Sequence, residues 1–93
     1  MTDTRVEATA EIINKKGLHA RASAKFVETV AKFQAEVTVS RGENTVSGRS
    51  IMGLMMLGAS QGTAIHLQAE GPQGAEVMDA LLRLISAKFH EDS

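Results

Sequence analysis

Apolar and polar positions alternate over residues 6–13, with Val6, Ala8, Ala10 and Ile12 on one side and Glu7, Thr9 and Glu11 on the other. A period of two is the signature of a half-buried strand. Past Gly17 the period changes. Phe26, Val27, Val30 and Phe33 recur at i, i+1, i+4 and i+7, which predicts a helix over residues 20–32 with those four as its buried stripe. Alternation returns over residues 35–40, and Arg41-Gly42-Glu43-Asn44 reads as a tight turn into Thr45-Val46-Ser47, making a hairpin.

Gly48-Arg49-Ser50 breaks the pattern. Ser50 stands where its hydroxyl can cap a short helix over residues 51–56, and Gly58 stands where such a helix ends. Residues 63–70 alternate again, with Ile65, Leu67 and Ala69 on one face and Ala64, His66, Gln68 and Glu70 on the other. Gly71-Pro72 punctuates, and Pro72 suits the first position of a last helix over about residues 73–88. Met78, Leu81, Leu82, Ile85 and Phe89 would line its core face, and His90-Glu91-Asp92-Ser93 reads as a frayed polar tail. The order is β-α-β-β-α-β-α, without repeat or linker. Because every strand alternates, helices should cover one sheet face and water the other. The expected fold is an open-faced α+β sandwich, a single domain over residues 1–93.

Charge and composition narrow the function. Ten basic and eleven acidic residues are interspersed, so no electrostatic footprint for nucleic acid is present. The three aromatics are all Phe and offer little for stacking on bases. Absence of cysteine excludes disulfides, thiolate zinc sites and cysteine catalysis, and it suits a reducing compartment. Met1-Thr2-Asp3-Thr4-Arg5 carries no apolar run, so no secretory signal is expected. The longest apolar stretch, near residues 51–59, is too short and Gly-broken to span a bilayer. The expectation is a soluble, cytoplasmic domain with no membrane insertion.

Three histidines invite a metal reading, but His19, His66 and His90 fall in three different elements without ligand spacing or a carboxylate cluster, so none is expected. His66 reads as a solvated residue on the polar face of its strand, and His90 as part of the tail. His19 differs by its address at the start of the first helix, where unpaired N–H groups and the positive end of the macrodipole face outward. That end disfavours an imidazolium, so the ring keeps a nucleophilic nitrogen. A phosphoryl group placed on it would be met by the same N–H groups, those of Ala20 and Arg21 among them, and by the forked guanidinium of Arg21. The competing reading is an ordinary surface histidine in a loop, and spacing alone does not choose between them.

A docking surface is suggested nearby. Ile51, Met52, Met55 and Met56 crowd a helix of barely two turns, too short to bury them all, and would leave a soft apolar patch. Ordinary core filling is the alternative. Ala20 and Ala24 add flat surface beside His19, and Lys25 and Arg49 could rim it with positive charge for an acidic partner.

Two blocks resemble the histidine-containing phosphocarrier (HPr) family of the phosphoenolpyruvate:sugar phosphotransferase system. They are Asn14-Lys15-Lys16-Gly17-Leu18-His19-Ala20-Arg21-Ala22-Ser23-Ala24-Lys25-Phe26 and Gly48-Arg49-Ser50-Ile51-Met52-Gly53-Leu54-Met55-Met56-Leu57-Gly58. Their separation and the element order match as well. The resemblance implies a four-stranded antiparallel sheet with three helices on one face, and a monomer. It makes His19 the residue phosphorylated, at Nδ1, and Arg21 the residue that steadies the phosphate. Phosphate would come from enzyme I and go to an enzyme IIA-type acceptor, with no cofactor. The protein would then be a stoichiometric carrier rather than a stand-alone enzyme. Ser50 matches the position that a dedicated HPr kinase phosphorylates in some members. Glu70-Gly71-Pro72-Gln73 and Lys88-Phe89-His90-Glu91-Asp92 look closer to the nitrogen-branch type, NPr. Two residues depart from the family pattern: Ala22 replaces a usual proline, and Glu28 replaces a lysine that several members carry. A regulatory adaptor docking through the Met-rich helix, and a small-ligand sensor of similar build, are the rival functions. The second would need an enclosed apolar pocket, for which so short a chain offers little room.

Overall fold

A computed structural model of the chain describes residues 4–93, Thr4 through its backbone alone. The reading of Met1-Thr2-Asp3 therefore lies outside the described residues. Eight elements follow in order: β1 (Thr4–Glu11), α1 (Ala20–Ala31), β2 (Glu36–Arg41), β3 (Asn44–Ser47), α2 (Ile51–Met56), β4 (Ala64–Gly71), α3 (Gly74–Ser86) and a short 3-10 turn (Lys88–His90). The sheet is antiparallel with strand order β1-β4-β2-β3. Its register sets Ala8 and Val39 on either side of Leu67, with Val46 opposite Val39, so the apolar positions align across all four strands. The other face carries Thr9, His66, Ser40 and Thr45 in the adjacent row, all of them accessible to solvent. Alternation within each strand thus becomes one dry face and one wet face.

The dry face is covered by the three helices. α3 packs on β1 and β4, α1 lies against α2 and α3, and α2 touches β3. Phe26 and Val30 of α1, Leu54 of α2, and Val77 and Leu81 of α3 are fully buried over Ile65, Leu67 and Val39. The expected open-faced α+β sandwich, with its four-stranded antiparallel sheet, is the fold observed.

Local departures have physical reasons. The buried side of α1 is Ala22, Ser23, Phe26 and Val30, whereas Val27 and Phe33 are only partly covered. Phe33 lies beyond the last helical turn, so its i+7 spacing does not place it on the stripe. Pro72 is not the first residue of α3. It sits in the turn before it, and Gln73 occupies the cap position, its N–H bonded to the Gln34 carbonyl at 3.0 Å. α3 stops at Ser86, short of Lys88, and Phe89 reaches the core through the 3-10 turn instead of through a helical face.

Two glycines have demanding places. Gly17 has φ 68° and passes so close to the next loop that a Cβ there would stand 2.5 Å from the Ala59 carbonyl oxygen. That approach lets the Leu18 N–H bond to the same carbonyl at 2.9 Å, tying the start of α1 to the loop after α2. Gly58, with φ 64°, is the left-handed residue that ends α2.

Candidate functional site

His19 is the N-cap of α1. Its backbone is extended (φ −75°, ψ −179°) and its carbonyl accepts from the Ser23 N–H at 2.8 Å, the first bond of the helix. Its side chain makes no capping bond. The first-turn donors at Ala20, Arg21 and Ala22 therefore lack intrahelical acceptors by the geometry of the helix, and no side chain of the cap residue takes them. No acidic residue occupies that turn either. An anion has an open place there.

Instead of turning back on the helix, the imidazole reaches toward the end of the chain. Its Nε2 contacts Oε2 of Glu91, and the two side chains are 28% and 17% exposed. Nδ1 has no hydrogen-bond partner among the described residues. Glu91 is fixed from its other oxygen as well: Asn14 Nδ2 donates to Oε1 at 3.1 Å and also to the Gly17 carbonyl at 2.9 Å. Asn14 is fully buried, and both of these partners are acceptors, which sets the orientation of its amide and leaves Oδ1 without a partner. Burial pushes the Glu91 carboxyl upward. The hydrogen bonds from His19 and Asn14, and the charges of His19 and Lys16, outweigh that and hold it below the ordinary 4.5 of a glutamate.

The segment carrying Glu91 corrects the expectation of a frayed tail. Lys88, Phe89 and His90 have φ of 58°, 55° and 62°, three left-handed residues in a row without a glycine. Each such residue costs on the order of 1–2 kcal/mol. Phe89 holds the turn in place: its ring is fully buried, and its carbonyl accepts from Lys25 Nζ at 2.6 Å. The strain sits beside the site, where over-determined backbone is commonly found.

The cleft around His19, about 740 Å³, is lined by Lys16, Ala20, Arg21 and Lys25 on one side and by His90, Glu91, Asp92 and Ser93 on the other. Arg21 is exposed, and its guanidinium has no hydrogen bond or ion pair among the described residues. A smaller groove joins His19, Lys16 and Leu18 to Gly58, Ala59 and Ser60 behind α2. Sequence spacing therefore brought His19, Ala20, Arg21 and Lys25 to one place. It did not bring Arg49 there. Arg49 lines a separate recess with Glu36, Glu70 and Pro72, and its Nη2 donates to the Ala35 carbonyl at 3.1 Å. Lys25, too, is occupied internally by Phe89.

Ser50 caps α2, its Oγ accepting from the Gly53 N–H at 2.9 Å. The Met-rich helix leaves Ile51 and Met55 exposed and Met52 and Met56 more so, at 70% and 78%, while only Leu54 is buried. His66 belongs to the wet sheet face, where Nε2 meets Glu7 at 2.9 Å and Nδ1 meets Thr9 at 3.3 Å. Among the described residues no group of side chains is arranged to hold a metal ion, and no helix is long and apolar enough to cross a membrane. Asn14, Lys16 and Glu91 were the members of the site that the pattern of residues missed. Asn14 had a local signal, an Asn three residues before a turn glycine; Glu91 had none.

An open-faced α+β sandwich that presents a histidine at an uncapped helix opening defines a class of small histidine-bearing group carriers. Known proteins agree. The family model described as the PTS HPr component phosphorylation site matches residues 6–87. Phosphocarrier protein HPr of Neisseria meningitidis serogroup A is 51% identical over 86 residues, covering 92% of this chain and 97% of the relative. Phosphocarrier protein NPr of Shewanella violacea is 40% identical over 90 residues, covering 97% and 99%. Among solved structures, HPr-C-His from Thermoanaerobacter tengcongensis superposes with a TM-score of 0.90 at 46% identity, covering 95% and 99%. The chain belongs to the HPr family, the phosphocarrier proteins of the phosphotransferase system.

Proposed function

We propose that His19 accepts a phosphoryl group at Nδ1 from phosphorylated enzyme I and passes it to enzyme IIA-type acceptors. The observation that carries this reading is the pairing of an unbonded Nδ1 with the uncapped opening of α1 beside Arg21. Phosphoryl transfer proceeds in line through a loose transition state, so the protein's part is to position the ring and to screen charge. Amides of Ala20 and Arg21 and the Arg21 guanidinium take the phosphate oxygens. Ala20, Ala24, Ile51, Met52 and Met55 form the docking surface, with Lys25 beside it and Arg49 set apart in its own recess, and contacts of this kind are transient. The exchange takes place in the cytoplasm, on a monomer, a reading that rests on family membership.

Incubation with phosphoenolpyruvate and enzyme I should place acid-labile phosphate on the wild type and none on His19→Ala. A wild type that stays unlabelled overturns the proposal. Offering the labelled protein to a sugar-branch and a nitrogen-branch IIA then assigns the branch. Phosphorylation of Ser50 by an HPr kinase is the proposed regulation. Added charge on the docking face would repel an acidic partner, while the helix start itself tolerates a phosphate. Unchanged enzyme I affinity in Ser50→Asp would leave Ser50 as a cap alone.

The exposed methionines of α2 support a second reading, a regulatory adaptor that docks through this patch with His19 idle. The same labelling experiment separates the two.

A further inference from the structure

We infer that Glu91 is a positioning residue for transfer through His19: its carboxylate takes the hydrogen bond of Nε2 and so presents Nδ1, lone pair free, as the attacking nitrogen. The inference rests on the carrier reading of His19 and adds which tautomer the ring adopts and what meets its charge during transfer.

An ionised carboxylate only accepts hydrogen bonds. Asn14 Nδ2 donates to one oxygen of Glu91, so the hydrogen between the other oxygen and His19 belongs to Nε2. A neutral imidazole carries one N–H, and placing it on Nε2 leaves Nδ1 as the nucleophile. Carboxylates fix histidine tautomers in this way in hydrolase triads and metal centres. The hydrogen bonds from His19 and Asn14, both of which lower the titration of the Glu91 carboxyl, are both accepted by it.

The placement of Glu91 is built into the fold. The left-handed turn at Lys88, Phe89 and His90 is costly for residues with a Cβ, and it is secured by the buried Phe89 ring, the Lys25 bond and the bonds His90 N to Ala87 O (2.9 Å) and Glu91 N to Lys88 O (3.0 Å). That turn leads directly to Glu91, whose carboxylate meets the ring at Nε2.

In the transfer step the Nδ1 lone pair forms the new N–P bond while the bond from phosphorus to the donor breaks, its electron pair leaving on the donor. The Nε2 proton stays in place, so the ring becomes positive as the N–P bond forms. The helix opening favours the phosphate but disfavours that ring charge, and the Glu91 carboxylate offsets it from the far side. Reverse transfer to an acceptor returns the bonding pair to Nδ1.

The test compares wild type, Glu91→Ala and Glu91→Gln by ¹⁵N ring correlation spectra of His19 and by the rate of phosphate uptake from phosphoenolpyruvate and enzyme I. The wild type should show the Nε2–H tautomer. In Glu91→Ala both tautomers should be populated and uptake should fall about tenfold, the lower end for loss of a supporting carboxylate. Glu91→Gln keeps the shape but has one acceptor oxygen for two donors, so both readouts should lie between. Wild-type tautomer and rate in Glu91→Ala sink the positioning role alone. Absence of uptake in the wild type sinks the carrier reading, and the positioning role with it.

Discussion

Two helices of this chain start in opposite ways. Ahead of α2, Ser50 has an extended backbone (φ −112°, ψ 108°) and folds its hydroxyl onto the Gly53 N–H. Ahead of α1, His19 is also extended but makes no bond to the helix's own N–H groups; its ring meets Glu91 instead. The backbones prepare the same kind of opening, and the side chains decide what becomes of it. A serine takes one of the donors for its own hydroxyl and serves the structure of the helix. A histidine leaves the donors free and stands beside them with a reactive ring. Omitting a side-chain cap forgoes roughly 0.5–2 kcal/mol, and α1 is held by burial of Phe26 and Val30 and by the Leu18 to Ala59 tie instead. Reactivity and self-satisfaction compete for the same backbone groups, and each helix has settled on one.

The sharpest break of this contrast is His19→Ala. Uptake of phosphate should vanish, because the ring at the cap of the open helix is gone, while stability should fall by only about 1 kcal/mol, since the bond to Glu91 is lost but no cap bond is. Thermal denaturation beside the labelling assay checks both halves, and loss of fold would make His19 a structural residue. Arg21→Ala should come next. Loss of a charge-assisted contact to the phosphate, about 1.5–3 kcal/mol, slows transfer roughly tenfold to a hundredfold. Enzyme I affinity should change far less, and rapid-quench rates at normal speed would discount the guanidinium.

Ser50→Ala inverts the pattern. It should cost about 0.5–2 kcal/mol of unfolding free energy, measured in urea, and leave the rate of transfer at saturating enzyme I intact. If instead it impaired the chemistry and spared the fold, the distinction between the two openings would collapse.

The sheet was legible because strand periodicity is local: Ile65, Leu67 and Ala69 face the core in the order their spacing dictates. The short helix was legible for the same reason, with Ser50 and Gly58 marking its ends. The stripe of α1 was only half read. Ala22 and Ser23 are buried, yet small residues give little hydrophobic contrast, so the bulkier Val27 and Phe33 drew the prediction toward themselves. The tail was opaque. Nothing in Lys88-Phe89-His90 announces left-handed backbone, which glycine usually marks. Glu91 meets partners 72 and 77 positions away, a distance that no local pattern spans. Half of the candidate site was written in one block of sequence, and the other half arises only when the fold returns the chain to it.

The smallest effect distinguishes the two openings by pH. Glu91 titrates below the ordinary 4.5 in the folded protein because the bonds from His19 and Asn14 outweigh its burial. A carboxyl lowered on folding contributes stability that is fully present above its unfolded value and is lost as pH falls through its folded value. The difference in unfolding free energy between wild type and Glu91→Ala should therefore shrink as pH is taken from about 6 to about 3. The deficit of Ser50→Ala should stay level over that window, because a hydroxyl does not titrate there and its bond to Gly53 is indifferent to protons. Urea unfolding of both variants at matched pH values reads the comparison directly. A Glu91→Ala deficit that ignores pH would mean that the carboxylate acts by packing alone, and the two helix openings would then differ in shape but not in charge.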